Sequence, residues 1–210
     1  MDQPRCRQHG LRLTTIALLL AALLGSLPMS SAVADDNVTP HFWASRPVPY
    51  RISTTVPSSW RGEVIDAANE WTSKTPMDFE YIGLIQSTDW TPLNGHLVWR
   101  GAIPQAWQSG CPPATTLACT NTRAYSNNQI ADSDFVFNSS QSMGTSNTNC
   151  NLFGPFSVDV ESVALHEFGH WGRLTHTTDG QAVMFQSYVT CRRLLHAHDD
   201  ESMTEQYRGR

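Results

Sequence analysis

The chain has 210 residues, with 19 acidic and 14 basic side chains. Lys74 is its only lysine, and no basic stripe is present, so the composition argues against nucleic acid as a partner. The length suits one domain with a sizeable core.

The first 34 residues have the pattern of a secretory signal peptide. Three arginines precede an uncharged apolar run over residues 14–24, and residues 32–34 supply the small side chains that a signal peptidase requires. The run is too short for a good membrane span. We therefore predict a signal peptide over residues 1–34 and a single secreted domain over residues 35–210. The alternative is that residues 1–34 are retained as an anchor.

Four cysteines lie after the predicted signal peptide: Cys111, Cys119, Cys150 and Cys191. An even number in an exported chain predicts two disulfides. Of the three possible pairings we favour Cys111–Cys119 with Cys150–Cys191, because the first pair is close in sequence and closes a proline-rich loop. A structural zinc held by all four cysteines is the alternative, which the lack of a Cys-x-x-Cys pair disfavours.

The periodicity of apolar residues predicts strands and helices in the following order. A loose lead-in over residues 35–49 precedes a strand at 48–55, a helix at 60–72, strands at 78–85, 96–99 and 130–138, a helix at 157–171 and a helix at 199–207. Residues 101–129 are predicted to be irregular, with short extended pieces such as 123–126. Ser58 or Ser59 is the expected cap of the first helix, and Asp199 or His198 that of the last.

Residues 166–176 read His-Glu-Phe-Gly-His-Trp-Gly-Arg-Leu-Thr-His and form the candidate site. On a helix, His166 and His170 project from one face, so both imidazoles can bind one metal ion. The chain can then turn back and deliver His176, while Glu167 reaches a bound water rather than the metal. Three neutral imidazoles with an open fourth position describe a catalytic zinc site. The alternative is a polar helix face whose histidines only make hydrogen bonds.

This three-histidine pattern resembles that of the metzincin zinc peptidases, His-Glu-x-x-His-x-x-Gly-x-x-His. Met184 lies eight residues after His176, where metzincins place a methionine beneath the zinc. Residues 159–188 look most like the matrixins, the branch that contains the matrix metalloproteinases of the extracellular matrix and small bacterial relatives. The resemblance covers most of residues 48–208 and is loose between 86 and 129.

The resemblance implies an α+β fold of the zincin type, with a twisted, mixed five-stranded sheet, an active-site helix and a C-terminal helix. It implies a secreted, extracellular zinc metalloendopeptidase in which His166, His170 and His176 bind one catalytic Zn²⁺. A zinc-activated water would hydrolyse the peptide bond, with Glu167 as the general base. The expected partner is a protein or peptide substrate, which would bind in an extended conformation along an edge strand of the sheet. The enzyme itself is expected to be a monomer.

Two further side chains take roles from the same resemblance. Met184 would pack beneath the metal without binding it. Tyr188 would line the pocket for the residue after the cut, although plain core packing explains Tyr188 equally well. His196 and His198 lie beyond the site and are predicted to be capping or surface groups.

Arg173 departs from the family pattern, because it stands where the family has a glycine. That glycine permits a sharp turn, often at positive φ, where another residue costs about 1 kcal/mol or more. Either Arg173 tolerates this strain, or the turn is shifted onto Gly172.

The metal content predicted for the rest of the chain also departs from that of the animal matrixins. These carry a structural zinc held by several histidines, but His96 is the only histidine between residues 86 and 150, so we predict that this zinc is absent. A disulfide between the first two cysteines could stiffen the same loop. Calcium could bind through Asp132 or Asp134, and a solvated strand face is the alternative reading of this pair.

Two other functions remain open at this point. One is a catalytically silent, metal-stabilised secreted binding or adhesion domain, which would not need Glu167. The other is a zinc hydrolase that acts on a non-peptide bond, which the methionine at position 184 argues against.

Overall fold

The structure is a computed structural model that describes residues 37–91, 93–146 and 158–210. The predicted signal peptide and Cys150 lie outside these residues. The described residues all belong to one compact unit over residues 34–210. No helix among them is long and apolar enough to cross a membrane.

Five strands and three α-helices are found in the described ranges. They are, in chain order, β1 (Val48–Ser53), α1 (Ser58–Lys74), β2 (Phe79–Ile85), β3 (His96–Gly101), β4 (Ala118–Ala124), β5 (Ile130–Asn138), α2 (Val160–Trp171) and α3 (Ala197–Gln206). The strands form one mixed sheet in the order β2-β1-β3-β5-β4. Only the pair β4–β5 is antiparallel. This arrangement confirms the predicted α+β fold.

Strand β4 corrects the prediction that residues 101–129 are irregular. Residues 118–124 read Ala-Cys-Thr-Asn-Thr-Arg-Ala and pair with β5 along their whole length. Polar residues dominate this strand, which lies at one edge of the sheet, so apolar alternation does not reveal it.

The core lies between the sheet and the helices α1 and α2. Its largest buried side chains are aromatic and come from all of these layers: Tyr50, Trp71, Phe135, Phe137, Phe168 and Trp171. The indole Nε1 of Trp71 donates to the carbonyl of Leu165 at 2.8 Å, which ties α1 to α2. Burial of such aromatic side chains is the main stabilising contribution to this packing.

A second apolar cluster surrounds Trp99 and Trp107, and the partly buried Cys111 packs against it. A disulfide joins Cys111 to Cys119 of β4, which is one of the two pairs favoured from the sequence. Cys191 is also disulfide-bonded, and its favoured partner is the undescribed Cys150. The loop before β4 is therefore tied covalently to that strand.

Hydrogen bonds to backbone groups stabilise both ends of α2. At the first end, Asp159 is the N-cap residue, and its carboxylate accepts from the N–H of Ser162 at 3.0 Å. The guanidinium of Arg193 binds the same carboxylate at 2.7 Å and also pairs with Glu63 of α1 and with Glu161. This largely buried network connects the first turn of α2 to α1.

At its other end, α2 stops in a Schellman turn. The N–H of Arg173 donates to the carbonyl of His170, and the N–H of Leu174 donates to that of Gly169, both at 3.0 Å. Arg173 has a φ of 73°, whereas Gly172 has a φ of −69°. The turn therefore lies at Arg173, as the first of the two alternatives has it, and is not shifted onto Gly172.

Two glycines near this end of α2 are required for close packing. A Cβ on Gly172 would lie 2.2 Å from Cε of Met203, which belongs to α3. A Cβ on Gly169 would lie 2.2 Å from Sδ of Met184. The glycines thus allow α3 and the segment around Met184 to pack directly on the backbone of α2.

The helix caps and the lead-in differ from the sequence predictions. His196 caps α3, and Asp199 completes a capping box from the third helical position, so neither His198 nor Asp199 is the N-cap residue. The N-cap residue of α1 is Pro57, which has no side-chain capping bond. The lead-in is anchored and not loose, since Asn37 and Trp43 are buried.

Alanine at Gly169 should disturb the packing of Met184. We expect Gly169→Ala to lower the free energy of unfolding by about 1–3 kcal/mol, because the new Cβ would overlap Sδ. Gly62→Ala is the matched control, since this α1 position has nothing within 4 Å, and it should raise the free energy by about 0.5–1 kcal/mol. Denaturant unfolding measures both, and equal effects would contradict the assigned packing.

Arg173→Gly and Arg173→Ala test the left-handed turn. Both variants remove the arginine side chain, so the difference between their free energies of unfolding isolates the cost of a Cβ atom at this backbone conformation. We expect the glycine variant to be more stable by about 1 kcal/mol, because alanine keeps the Cβ that is unfavourable at positive φ. Chemical denaturation gives the comparison, and an alanine variant as stable as the glycine variant would refute the strained turn.

Candidate metal centre

Three imidazoles converge at the C-terminal end of α2. The Nε2 atoms of His166 and His170 each lie 3.2 Å from Nε2 of His176. These three residues form the group identified in the described part of the chain as able to hold a metal ion, and their ligand atoms all lie within 4.8 Å of one another. The structure thus brings together the three residues that the sequence pattern selects.

Backbone carbonyls fix the tautomers of the two helical histidines. Nδ1 of His166 lies 2.8 Å from the carbonyl of Val183, and Nδ1 of His170 lies 2.8 Å from that of Leu174. A carbonyl only accepts, so each Nδ1 must be the donor, and each neutral ring then has its lone pair on Nε2. Both lone pairs are directed at the point where the third imidazole arrives.

Burial keeps these imidazoles neutral. It lowers the pKa of His166 to about 4 and the pKa of His170 well below its ordinary value, and it also lowers the pKa of the more exposed His176. Nearby histidines add to the effect on the helical pair. Neutral imidazole is the form that binds a metal ion.

The geometry fits zinc. Ligand nitrogens about 2.0–2.1 Å from a tetrahedral zinc lie about 3.3 Å from one another. The two Nε2–Nε2 separations of 3.2 Å agree with this value. His166, His170 and His176 could therefore hold one zinc ion and leave a fourth position for water or substrate.

Glu167 lies beside the histidines and is held by β4. Its side chain is buried, and its Oε2 accepts from the hydroxyl of Thr120 at 2.5 Å. Burial raises the pKa of Glu167 to about 7, and the hydrogen bond from Thr120 opposes this rise. A carboxyl group with a pKa near neutrality is suited to take up and release a proton. Thr120 lies in the strand that the sequence analysis missed.

Met184 lies against α2 and is completely buried. Asp199 holds its segment, because the carboxylate accepts from the N–H of Val183 at 2.8 Å and from that of Met184 at 3.0 Å. The sequence predicted Asp199 only as a possible cap. Its contact with residues 183–184 is long-range and leaves no local sequence signal beyond an acidic residue in the first turn of α3.

A cleft of about 850 Å³ runs past the histidines and Glu167. One wall is formed by β4 and the loop before it, and the other by residues 183–192. Tyr188 lines the cleft, and its hydroxyl accepts from the N–H of Asp159 at 3.0 Å. This bond links the cleft wall to the first turn of α2.

Asp132 and Asp134 are almost completely buried, so the alternative of a solvated strand face is wrong. Asp132 pairs with His96 at 3.2 Å and with Arg123 at 3.6 Å, and Asp134 accepts from the N–H of Leu97 at 3.0 Å. Burial raises the pKa of Asp134 to about 8. Calcium at this pair stays a prediction.

Comparison with known proteins gives the family. No curated protein matches the chain. The family described as Matrixin matches residues 42–208, which is most of the chain and includes the three histidines and all the strands and helices of the described residues. The chain therefore belongs to the matrixin family of metallopeptidases.

Proposed function

We propose that this matrixin is a secreted zinc metalloendopeptidase that cleaves peptide bonds in protein or peptide substrates. The observation that carries the proposal is the convergence of three neutral imidazoles beside a buried carboxyl group, in the lining of one cleft. Membership of a peptidase family supports the reaction type. The predicted signal peptide and the disulfide between Cys111 and Cys119 support an oxidising, extracellular location.

His166, His170 and His176 would bind the zinc ion. When bound, zinc supplies a Lewis acid that polarises the scissile carbonyl and lowers the pKa of water. Glu167 is the general base, which accepts the proton of the attacking water and then donates it to the leaving amine. Thr120 orients this carboxylate by its hydrogen bond to Oε2, so that the proton acceptor is held in place before substrate arrives.

Strand β4 is the proposed binding edge for substrate. It pairs with β5 on one side and ends the sheet, and residues 117–120 line the cleft. An extended peptide could therefore add to this edge by backbone hydrogen bonds. Tyr188, on the opposite wall, is the proposed contact for the side chain that follows the cut.

The alternative is a silent, metal-stabilised binding or adhesion domain. Such a domain needs three ligands, but it has no use for a buried glutamate that lines the same cleft as the three histidines. Burial of Glu167 raises its pKa, which destabilises the ionised form in the folded state. A group that is retained at such an energetic disadvantage favours catalysis over a purely structural site.

Glu167→Gln separates these two functions. The amide keeps the shape of the side chain and an oxygen that can accept from Thr120, but it cannot take up a proton. We expect the zinc content to stay at one ion per chain. The value of kcat/KM for a denatured protein substrate should fall about 10²–10⁴-fold. The measurement pairs metal analysis with a cleavage assay.

Glu80→Gln, at an exposed position of β2, is the control and should retain full activity. Chelation of the wild-type enzyme should abolish cleavage, and added zinc should restore it. The peptidase assignment would be contradicted if the wild-type protein holds zinc but shows no cleavage beyond that of Glu167→Gln.

A further inference from the structure

The N-terminal segment, residues 37–43, crosses the end of α2 and the turn that leads to the third histidine. We propose that Asn37 is a positioning residue for His176, because it fixes the backbone of the residue just before this ligand. The proposal rests on the metal-binding role proposed for His176 above.

Asn37 contacts Thr175 through both its side chain and its backbone. Its Nδ2 donates to the carbonyl of Thr175 at 3.2 Å. Its own carbonyl accepts from the N–H of Thr175 at 2.8 Å and from the hydroxyl of Thr175 at 3.2 Å. Asn37 is fully buried, whereas Thr175 is exposed, so these bonds attach a surface turn to a buried anchor.

The rest of the N-terminal segment supports the same turn. The indole Nε1 of Trp43 donates to the carbonyl of Trp171 at 2.8 Å, and the hydroxyl of Thr39 donates to that of Arg173 at 3.1 Å. Carbonyls at a helix C-terminus lack partners within the helix. The segment therefore supplies donors to alternate residues from the end of α2 to Thr175.

His176 needs external support more than the other two ligands. His166 and His170 are placed by α2 itself, and carbonyls hold their Nδ1 atoms. His176 belongs to no helix or strand and is exposed. Its imidazole can face the other two only if the backbone on each side of it is fixed.

Two backbone anchors flank His176. On its C-terminal side, the N–H of Thr177 donates to the carbonyl of Met184 at 3.1 Å. On its N-terminal side, Thr175 is held by Asn37. The first anchor belongs to the segment around Met184, and the second comes from the N-terminal segment, residues 37–43. Asn37 thus completes the support of the ligand loop.

The side chain of Asn37 is suited to this contact because it offers an N–H₂ donor to a carbonyl. Aspartate has the same shape but no donor when ionised, and it would place a second acceptor 3.2 Å from the carbonyl of Thr175. Alanine would leave that carbonyl without this donor. Both substitutions should loosen the backbone before His176 and leave the helical ligands in place.

The test is the zinc affinity of the full chain, measured by competition with a chromogenic chelator. We expect Asn37→Ala and Asn37→Asp to raise the dissociation constant for zinc about 10–100-fold, the range found when groups that orient a ligand are removed. The visible spectrum of the Co²⁺-loaded variants should also change, because the third imidazole is no longer held at one position.

Asn138→Ala is the matched control. Asn138 is also buried, and its Nδ2 donates to two backbone carbonyls, those of Pro113 and Thr116, but this contact holds the loop before β4 and not the turn before His176. We expect the metal-free forms of Asn138→Ala and Asn37→Ala both to lose stability, whereas zinc affinity should fall only in the Asn37 variants. Asn37→Asp is isosteric and serves if Asn37→Ala does not fold.

Unchanged zinc affinity in the folded Asn37 variants would overturn the proposal, and so would an equal loss of zinc affinity in Asn138→Ala. Failure of the proposed function has a different signature. In that case the wild-type chain binds zinc but cleaves no protein, and the comparison of zinc affinities between variants still decides the role of Asn37.

Discussion

The end of α2 is the constraint on which the metal centre depends. The helix places two imidazoles on one face, but the third can reach them only if the chain stops after Trp171 and reverses. The reversal requires a residue in the left-handed region, and Arg173 occupies it at an expected cost of about 1 kcal/mol. Hydrogen bonds of the Schellman turn and from the N-terminal segment offset that strain, and so they stabilise the conformation in which His176 faces His170.

Backbone groups, more than side chains, position the site. The carbonyls of Val183 and Leu174 orient the helical imidazoles, while Asp199 of α3 holds the amide groups of residues 183 and 184. Gly169 lets the same segment pack directly against α2. The metal centre, the segment around Met184 and α3 are therefore one packed unit, in which a displacement of any part would move a ligand.

Local sequence patterns were sufficient for part of this unit. His166 and His170 are four residues apart, and helix geometry places residues with this spacing on one face, so the pair can be recognised from the sequence alone. Strand β4 was missed because its polar residues do not alternate, and with it Thr120, the partner of Glu167. Asn37 lies 138 positions before Thr175, and no local periodicity could connect them. For Arg173 the sequence left two turns open, and only the backbone angles distinguish them.

X-ray absorption at the zinc edge of the metal-loaded protein tests the central claim most directly, which is that α2 and the turn after it bring three imidazoles to one metal ion. The account predicts three imidazole nitrogens and one oxygen donor at about 2.0–2.1 Å. It also predicts that His176→Ala loses one imidazole from this set. A zinc ion bound by sulfur, or an unchanged three-imidazole spectrum in His176→Ala, would contradict it.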